Sequence, residues 1–123
     1  MIPLDTSFVI RGLIPGTPED ARLEAWIRAR EPLGIAAIAW AEFLCGPVTR
    51  SQITHAASVL GEPAVFDRQT AETAALLFDA SGRRRGTMVD CFIAATAIRA
   101  GASLATVNTA DFRRMVGAGL VLA

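Results

Sequence analysis

A chain of 123 residues, 52% hydrophobic and 20% charged, is sized for a single compact domain, residues 1–123, and is too apolar for a disordered one. Its twelve cations, all arginine, balance twelve acids, so no global positive field advertises a nucleic-acid partner. The lack of lysine excludes Schiff-base chemistry, and the single histidine, His55, leaves a paired-histidine ribonuclease mechanism with half its parts.

Met1 to Leu4 is a short apolar run closed by Asp5, which predicts a first buried strand, and Thr6 to Gly12 reads as a helix launched directly from it. Thr17-Pro18-Glu19-Asp20 then supplies a cap, a proline at the first helical position and two first-turn acids, predicting a helix that stops before Pro32. Leu33 to Ile38 reads as the second strand, and Ala39 to Leu44 as a helix carrying Glu42. Thr49 caps a helix through Leu60, Pro63 to Phe66 is a minor strand, and Asp67 caps a long helix to about Ala80. A basic loop, Ser81 to Gly86, precedes a helix capped by Thr87 and running from Met88 to Ala100. Ser103 to Val107 is the next strand, Ala110 to Met115 a short helix and Leu120 to Leu122 a last strand. Short apolar strands alternating with helices imply a parallel sheet covered on both faces, hence an α/β fold, a three-layer α/β/α sandwich.

The longest apolar stretches, Gly34 to Trp40 and Met115 to Ala123, are too short to cross a bilayer, and no basic segment precedes the first apolar run as in a signal peptide. Cys45 and Cys91 lack metal-ligand spacing and read as small buried apolar residues of a reducing, cytoplasmic setting.

Four acids fall where a solvated helix face does not explain them. Asp5 closes the first strand, at the carboxyl edge where open α/β sheets build their sites. Glu42 lies inside an apolar stretch after the second strand, Asp90 in the first turn of the most apolar helix, and Asp111 four residues past the Ser103 to Val107 strand. Each taken singly has a plain structural reading: Asp5 and Asp111 as helix caps, Glu42 as an arginine partner, Asp90 as a first-turn acid favoured by the helix dipole. Together they would repel strongly, and a divalent ion is the simplest relief. Carboxylates without histidine or thiolate favour a hard ion, Mg²⁺ or Mn²⁺, over zinc.

Four segments carry a family resemblance: Leu4-Asp5-Thr6-Ser7, Ala41-Glu42-Phe43, Asp90-Cys91-Phe92-Ile93-Ala94-Ala95-Thr96-Ala97 and Ala105-Thr106-Val107-Asn108-Thr109-Ala110-Asp111-Phe112. In order, spacing and total length the chain resembles PIN-domain ribonucleases, specifically the VapC-type toxins of VapBC toxin–antitoxin pairs. The resemblance implies one or two Mg²⁺ or Mn²⁺ ions held by Asp5, Glu42, Asp90 and Asp111. Some relatives carry the fourth carboxylate at the place of Asn108 instead, where this chain offers only a neutral amide. Thr6 and Thr106 resemble the family's auxiliary polar residues, and serve equally well as local hydrogen bonders. Metal-activated water attacking a phosphodiester would leave a 5′-phosphate and a 3′-hydroxyl. Arg83, Arg84, Arg85, Arg113 and Arg114 flank the acids in sequence and are candidate phosphate contacts, or simply solvated surface.

The same resemblance implies a homodimer and a cognate antitoxin seated in an apolar groove, with Thr6 to Leu13, Trp40 and Phe43 as candidates for its lining or for plain core. Competing readings are a non-toxin PIN nuclease of RNA processing, a PIN domain kept only for binding, and a phosphoryl-transfer enzyme of the haloacid dehalogenase type. The last wants a second aspartate two residues after the first, where this chain has Ser7, and a lysine the chain lacks.

Overall fold

Strand β1 (Ile2–Pro3) opens the computed structural model, which describes residues 1–123, and pairs in parallel with β2 (Leu33–Gly34). Helices α1 (Thr6–Gly12) and α2 (Pro18–Arg28) connect them. After β2 come α3 (Ala37–Cys45), α4 (Arg50–Leu60), α5 (Arg68–Ala80) and α6 (Met88–Arg99). The chain closes with β3 (Ser103–Leu104), α7 (Thr109–Val116) and β4 (Val121–Leu122), the last strand parallel to β3. A parallel bridge between Leu4 and Ala105 joins the two ladders, and another between Ala36 and Ala64 adds a one-residue margin beside β2. Across the sheet the order is therefore Ala64, β2, β1, β3, β4.

Successive residues of a strand point to opposite faces. Leu4, Ile35, Ala36, Leu104 and Ala105 are all buried, each at most 2% exposed, so both faces are covered through the middle of the sheet, while at its β4 margin Val121 is exposed. That is the three-layer α/β arrangement expected from the uninterrupted apolar strands. The sheet itself is shorter than the sequence suggests. Leu33 to Ile38 splits into β2 and the first turn of α3, which begins at Ala37, and Pro63 to Phe66 reduces to the single bridge at Ala64. Once the Ala37 N–H has bonded to the Ala64 carbonyl at 2.8 Å, apolar residues are free to turn helical, because their periodicity fits either state.

Three helix starts follow their caps. Thr17 accepts from the Asp20 N–H at 3.1 Å, and Asp67 accepts from the Thr70 N–H at 2.9 Å. Thr49 and Gln52 exchange bonds of 3.1 and 2.9 Å in a full capping box. Thr87 is a correction: its hydroxyl donates to the Arg84 carbonyl at 2.7 Å and caps nothing, so the first turn of α6 keeps unsatisfied N–H groups. The core is packed around α6, whose residues Ile93 to Ala97 are all buried, with Phe8, Phe43 and Phe112 filling the larger spaces. Gly12 is buried where α1 meets α2, and a Cβ there would stand 2.2 Å from Leu23 Cδ1. Both cysteines are free, but only Cys91 is buried; Cys45 is exposed at the end of α3, contrary to its apolar surroundings in sequence. No helix is long and apolar enough to cross a membrane.

Candidate active site

All the strands run parallel, so their carboxyl ends share one edge of the sheet. From β1 the chain steps outward through β2 to Ala64, then returns to the other side of β1 for β3 and β4. The crevice between the ends of β1 and β3 is thus the point at which connections diverge to opposite sides, where open α/β sheets bind ligands. Asp5 and Thr106 face each other across it.

Asp5 is 5% exposed and caps α1. Its Oδ1 accepts from the Thr6 N–H at 2.8 Å, and its Oδ2 accepts from the hydroxyls of Ser7 and Thr106, both at 2.8 Å. The Asn108 N–H donates to Thr106 Oγ1 at 3.0 Å and the Val107 N–H to Ser7 Oγ at 3.3 Å, fixing the turn that leads into α7. On the other side, the Thr6 hydroxyl is shared between the Ala39 carbonyl at 3.0 Å and Glu42 Oε1 at 3.1 Å, linking the start of α1 to α3. Thr6 and Thr106 therefore both contact acids singled out by the sequence. Ser7 was missed there. Its position two residues past Asp5, in the first turn of the helix that Asp5 caps, was the available signal, since a side chain there can fold back onto its cap.

Asp90 stands half-buried in the first turn of α6. Burial, reinforced by the charges of Asp5, Asp111 and Glu42, pushes its carboxyl up from 3.8 to about 6, while Arg114 pulls weakly the other way. Asp5, Glu42 and Asp111, far from it in sequence, thus lie near enough to act on Asp90. Asp111 is exposed in the first turn of α7; Asn108 precedes that helix, and its side chain makes no capping bond.

As donors, four carboxylates and flanking hydroxyls suit a hard divalent cation. No three of them stand close enough together to grip one ion as they are, so an ion would have to draw them in, with water completing its shell.

The arginines separate into unlike groups. Arg83 forms an ion pair with Asp79 and lies over the Phe78 ring, 5.2 Å from its centroid, so it is engaged within its own loop. Arg84, Arg85 and Arg113 are exposed and unpaired. Arg114 is half-buried beside the acids, with Nη1 buried and without an acceptor. Trp40 and Phe43, candidates for a partner groove, stack on each other at 5.3 Å, and Phe43 is wholly buried in the core.

A sequence profile of the PIN domain matches residues 2–118. The chain belongs to the PIN domain family. That family is one of nucleases, and the haloacid dehalogenase reading falls with the assignment. No curated protein matches the sequence. Among solved structures this PIN domain is similar to the VapBC2 complex of Rickettsia felis bound to a promoter DNA fragment, with a TM-score of 0.79 and 24% identity over 100% of this chain and 98% of that one. It is similar to FitAcB from Neisseria gonorrhoeae, with a TM-score of 0.73 and 24% identity over 100% and 97% of the two chains. A toxin–antitoxin complex from Klebsiella pneumoniae gives a TM-score of 0.70 and 26% identity over 91% and 90%.

Proposed function

We propose that this PIN domain is a Mg²⁺- or Mn²⁺-dependent endoribonuclease and the toxin of a toxin–antitoxin pair, with Asp5, Glu42, Asp90 and Asp111 as its metal-holding acids. What supports the reading is the PIN-family match together with the hydrogen-bonded cluster that holds Asp5 through Thr6, Ser7 and Thr106 and ties Glu42 to Thr6. The raised pKa of Asp90, caused first by burial and then by Asp5, Asp111 and Glu42, agrees with it. Asp90, half-buried and within reach of the charges of Asp5, Asp111 and Glu42, is costly to keep ionised, and a hard cation would offset that cost. A divalent ion bound there supplies an acidic water and polarises the scissile phosphate. The chain's own part is placement: Asp5 is fixed by three hydrogen bonds, Glu42 is tied to Thr6, and Asp90 and Asp111 project from the first turns of α6 and α7. Exposed Arg84, Arg85 and Arg113 are free to meet backbone phosphates of incoming RNA, and in-line attack by water leaves 5′-phosphate and 3′-hydroxyl ends.

Between α1, α2 and α4 lies an apolar cleft of about 210 Å³, lined by Val9, Leu13, Leu23, Ile27 and Val59 among others. It shares α1 with the proposed site and offers an antitoxin segment an apolar seat, in keeping with the complexes that the similar structures form. A homodimer in the cytoplasm completes the proposal.

The test is cleavage of total RNA by purified protein with and without Mg²⁺, with the 5′ ends sequenced. Asp90→Asn should fold and lose cleavage by at least about a hundredfold, the scale of removing a group that acts in the transition state. Cleavage by that variant at the wild-type rate, or cyclic phosphate products, would refute the assignment.

A further inference from the structure

We propose that Ser7 is a positioning residue: its hydroxyl holds the Asp5 carboxylate in one orientation and ties it to the turn before α7, so that this one ligand is oriented before an ion draws the other acids in. The inference rests on the metal-dependent reading of the same crevice.

The geometry is specific. Two hydroxyls, Ser7 Oγ and Thr106 Oγ1, converge on a single oxygen, Asp5 Oδ2, each at 2.8 Å, and stand 3.4 Å from each other. Each has its own upstream donor, the Val107 N–H at 3.3 Å for Ser7 and the Asn108 N–H at 3.0 Å for Thr106. Each hydroxyl thus donates to the carboxylate at 2.8 Å while its own oxygen accepts from a backbone N–H. With the Thr6 N–H on Oδ1, the carboxylate can neither rotate nor swap its oxygens without breaking bonds on both sides.

Both hydroxyls join the β1–α1 corner to the segment that leaves β3, from opposite sides. Thr106 lies on the segment that leaves β3, and its amide partner is only two residues further on. Ser7 lies in the first turn of α1 and reaches a residue one hundred positions away. Ser7 thus adds a further side-chain link between the β1–α1 corner and the residue 106–108 turn, beside the Thr106 hydroxyl on Asp5 Oδ2 and the Asp5 N–H on the Ala105 carbonyl. Partners that orient metal ligands in this way typically set ion affinity by ten- to a hundredfold when removed.

The experiment is Mn²⁺ titration by electron paramagnetic resonance on purified wild type, Ser7→Ala and Ser7→Thr, with melting in EDTA and RNA cleavage against Mn²⁺ concentration measured alongside. Ser7→Ala should bind Mn²⁺ about tenfold more weakly, with the ion concentration for half-maximal cleavage rising in parallel and the saturated rate falling much less. Ser7→Thr keeps the hydroxyl and should recover most of the affinity. Ser7→Cys, similar in volume but a weaker hydrogen bonder, takes the alanine variant's place if that one does not fold. Unchanged Mn²⁺ affinity in Ser7→Ala, with wild type binding normally, would overturn this inference and leave the nuclease reading intact. An affinity loss that Ser7→Thr shares in full would also overturn it, since the hydroxyl would then not be the cause. Wild-type protein that bound no Mn²⁺ would overturn both.

Discussion

Replacing Asp90 by asparagine removes one charge from four that repel, so the ion-free protein should become more stable at neutral pH even as it loses its proposed chemistry. The wild-type carboxyl is raised from 3.8 to about 6. Below about pH 3.8 it is protonated whether the chain is folded or not, and it costs the fold nothing. Between the two values the folded state holds a proton that the unfolded state has released, and above about 6 both states are ionised and the fold carries the whole penalty. Stability from this residue is thus present at low pH and lost as pH rises through about 6. Each tenfold change in proton affinity corresponds to about 1.4 kcal/mol, so a carboxyl raised this far sets an upper bound of about 3 kcal/mol. Asp90 is only half-buried, and solvent screening cuts that to about 1.5 kcal/mol. For a domain of this size the gain is about 4–8 °C in Tm. Circular-dichroism melts of wild type and Asp90→Asn in EDTA, at pH 4.5 and pH 8, measure it directly. The variant should melt higher at pH 8 and by clearly less at pH 4.5. A variant that melts below wild type at pH 8, or by a margin indifferent to pH, would show that the acids do not repel as described.

Mg²⁺ should reverse that order: at about a hundred times its Kd it stabilises wild type by about 2.7 kcal/mol, and Asp5→Asn should lose most of this gain in the same melts. Thr49→Ala removes one half of the α4 capping box and should cost about 1 kcal/mol in urea denaturation, while RNA cleavage stays within about twofold. Arg84→Ala with Arg85→Ala should weaken RNA binding and lower the salt slope by about 1 for each phosphate no longer neutralised, read by fluorescence anisotropy at several salt concentrations. Arg83→Ala should do less, because Asp79 and Phe78 already occupy that guanidinium.

The layered α/β fold and the place of Asp5 at the carboxyl end of β1 were legible because they rest on features a sequence displays: uninterrupted apolar strands, caps before helices, an acid at a strand end. Thr17, Thr49 and Asp67 cap as their local chemistry dictates. Boundaries set by tertiary contacts were not legible. Ala37 turns helical because Ala64 arrives from elsewhere to satisfy its N–H, and Thr87 fails as a cap because the Arg84 carbonyl takes its hydroxyl. Runs of arginine read alike along the chain, yet Arg83 is bound to Asp79 while Arg84 and Arg85 are exposed and unpaired, distinctions that depend on side-chain direction. The bond from Ser7 back to Asp5 was readable locally, but its bond from the Val107 N–H, a hundred residues on, was not.

Ala94, Ala95 and Ala97 of α6 are wholly buried, and the same helix begins at the turn that carries Asp90. Growth by even one methyl group on that inner face has nowhere to go except into a shift of the helix axis, and such a shift is transmitted to a carboxylate that must meet its neighbours at ångström tolerance. A larger side chain at Ala94, Ala95 or Ala97 should therefore disturb the placement of Asp90 although none of the three is a candidate ligand.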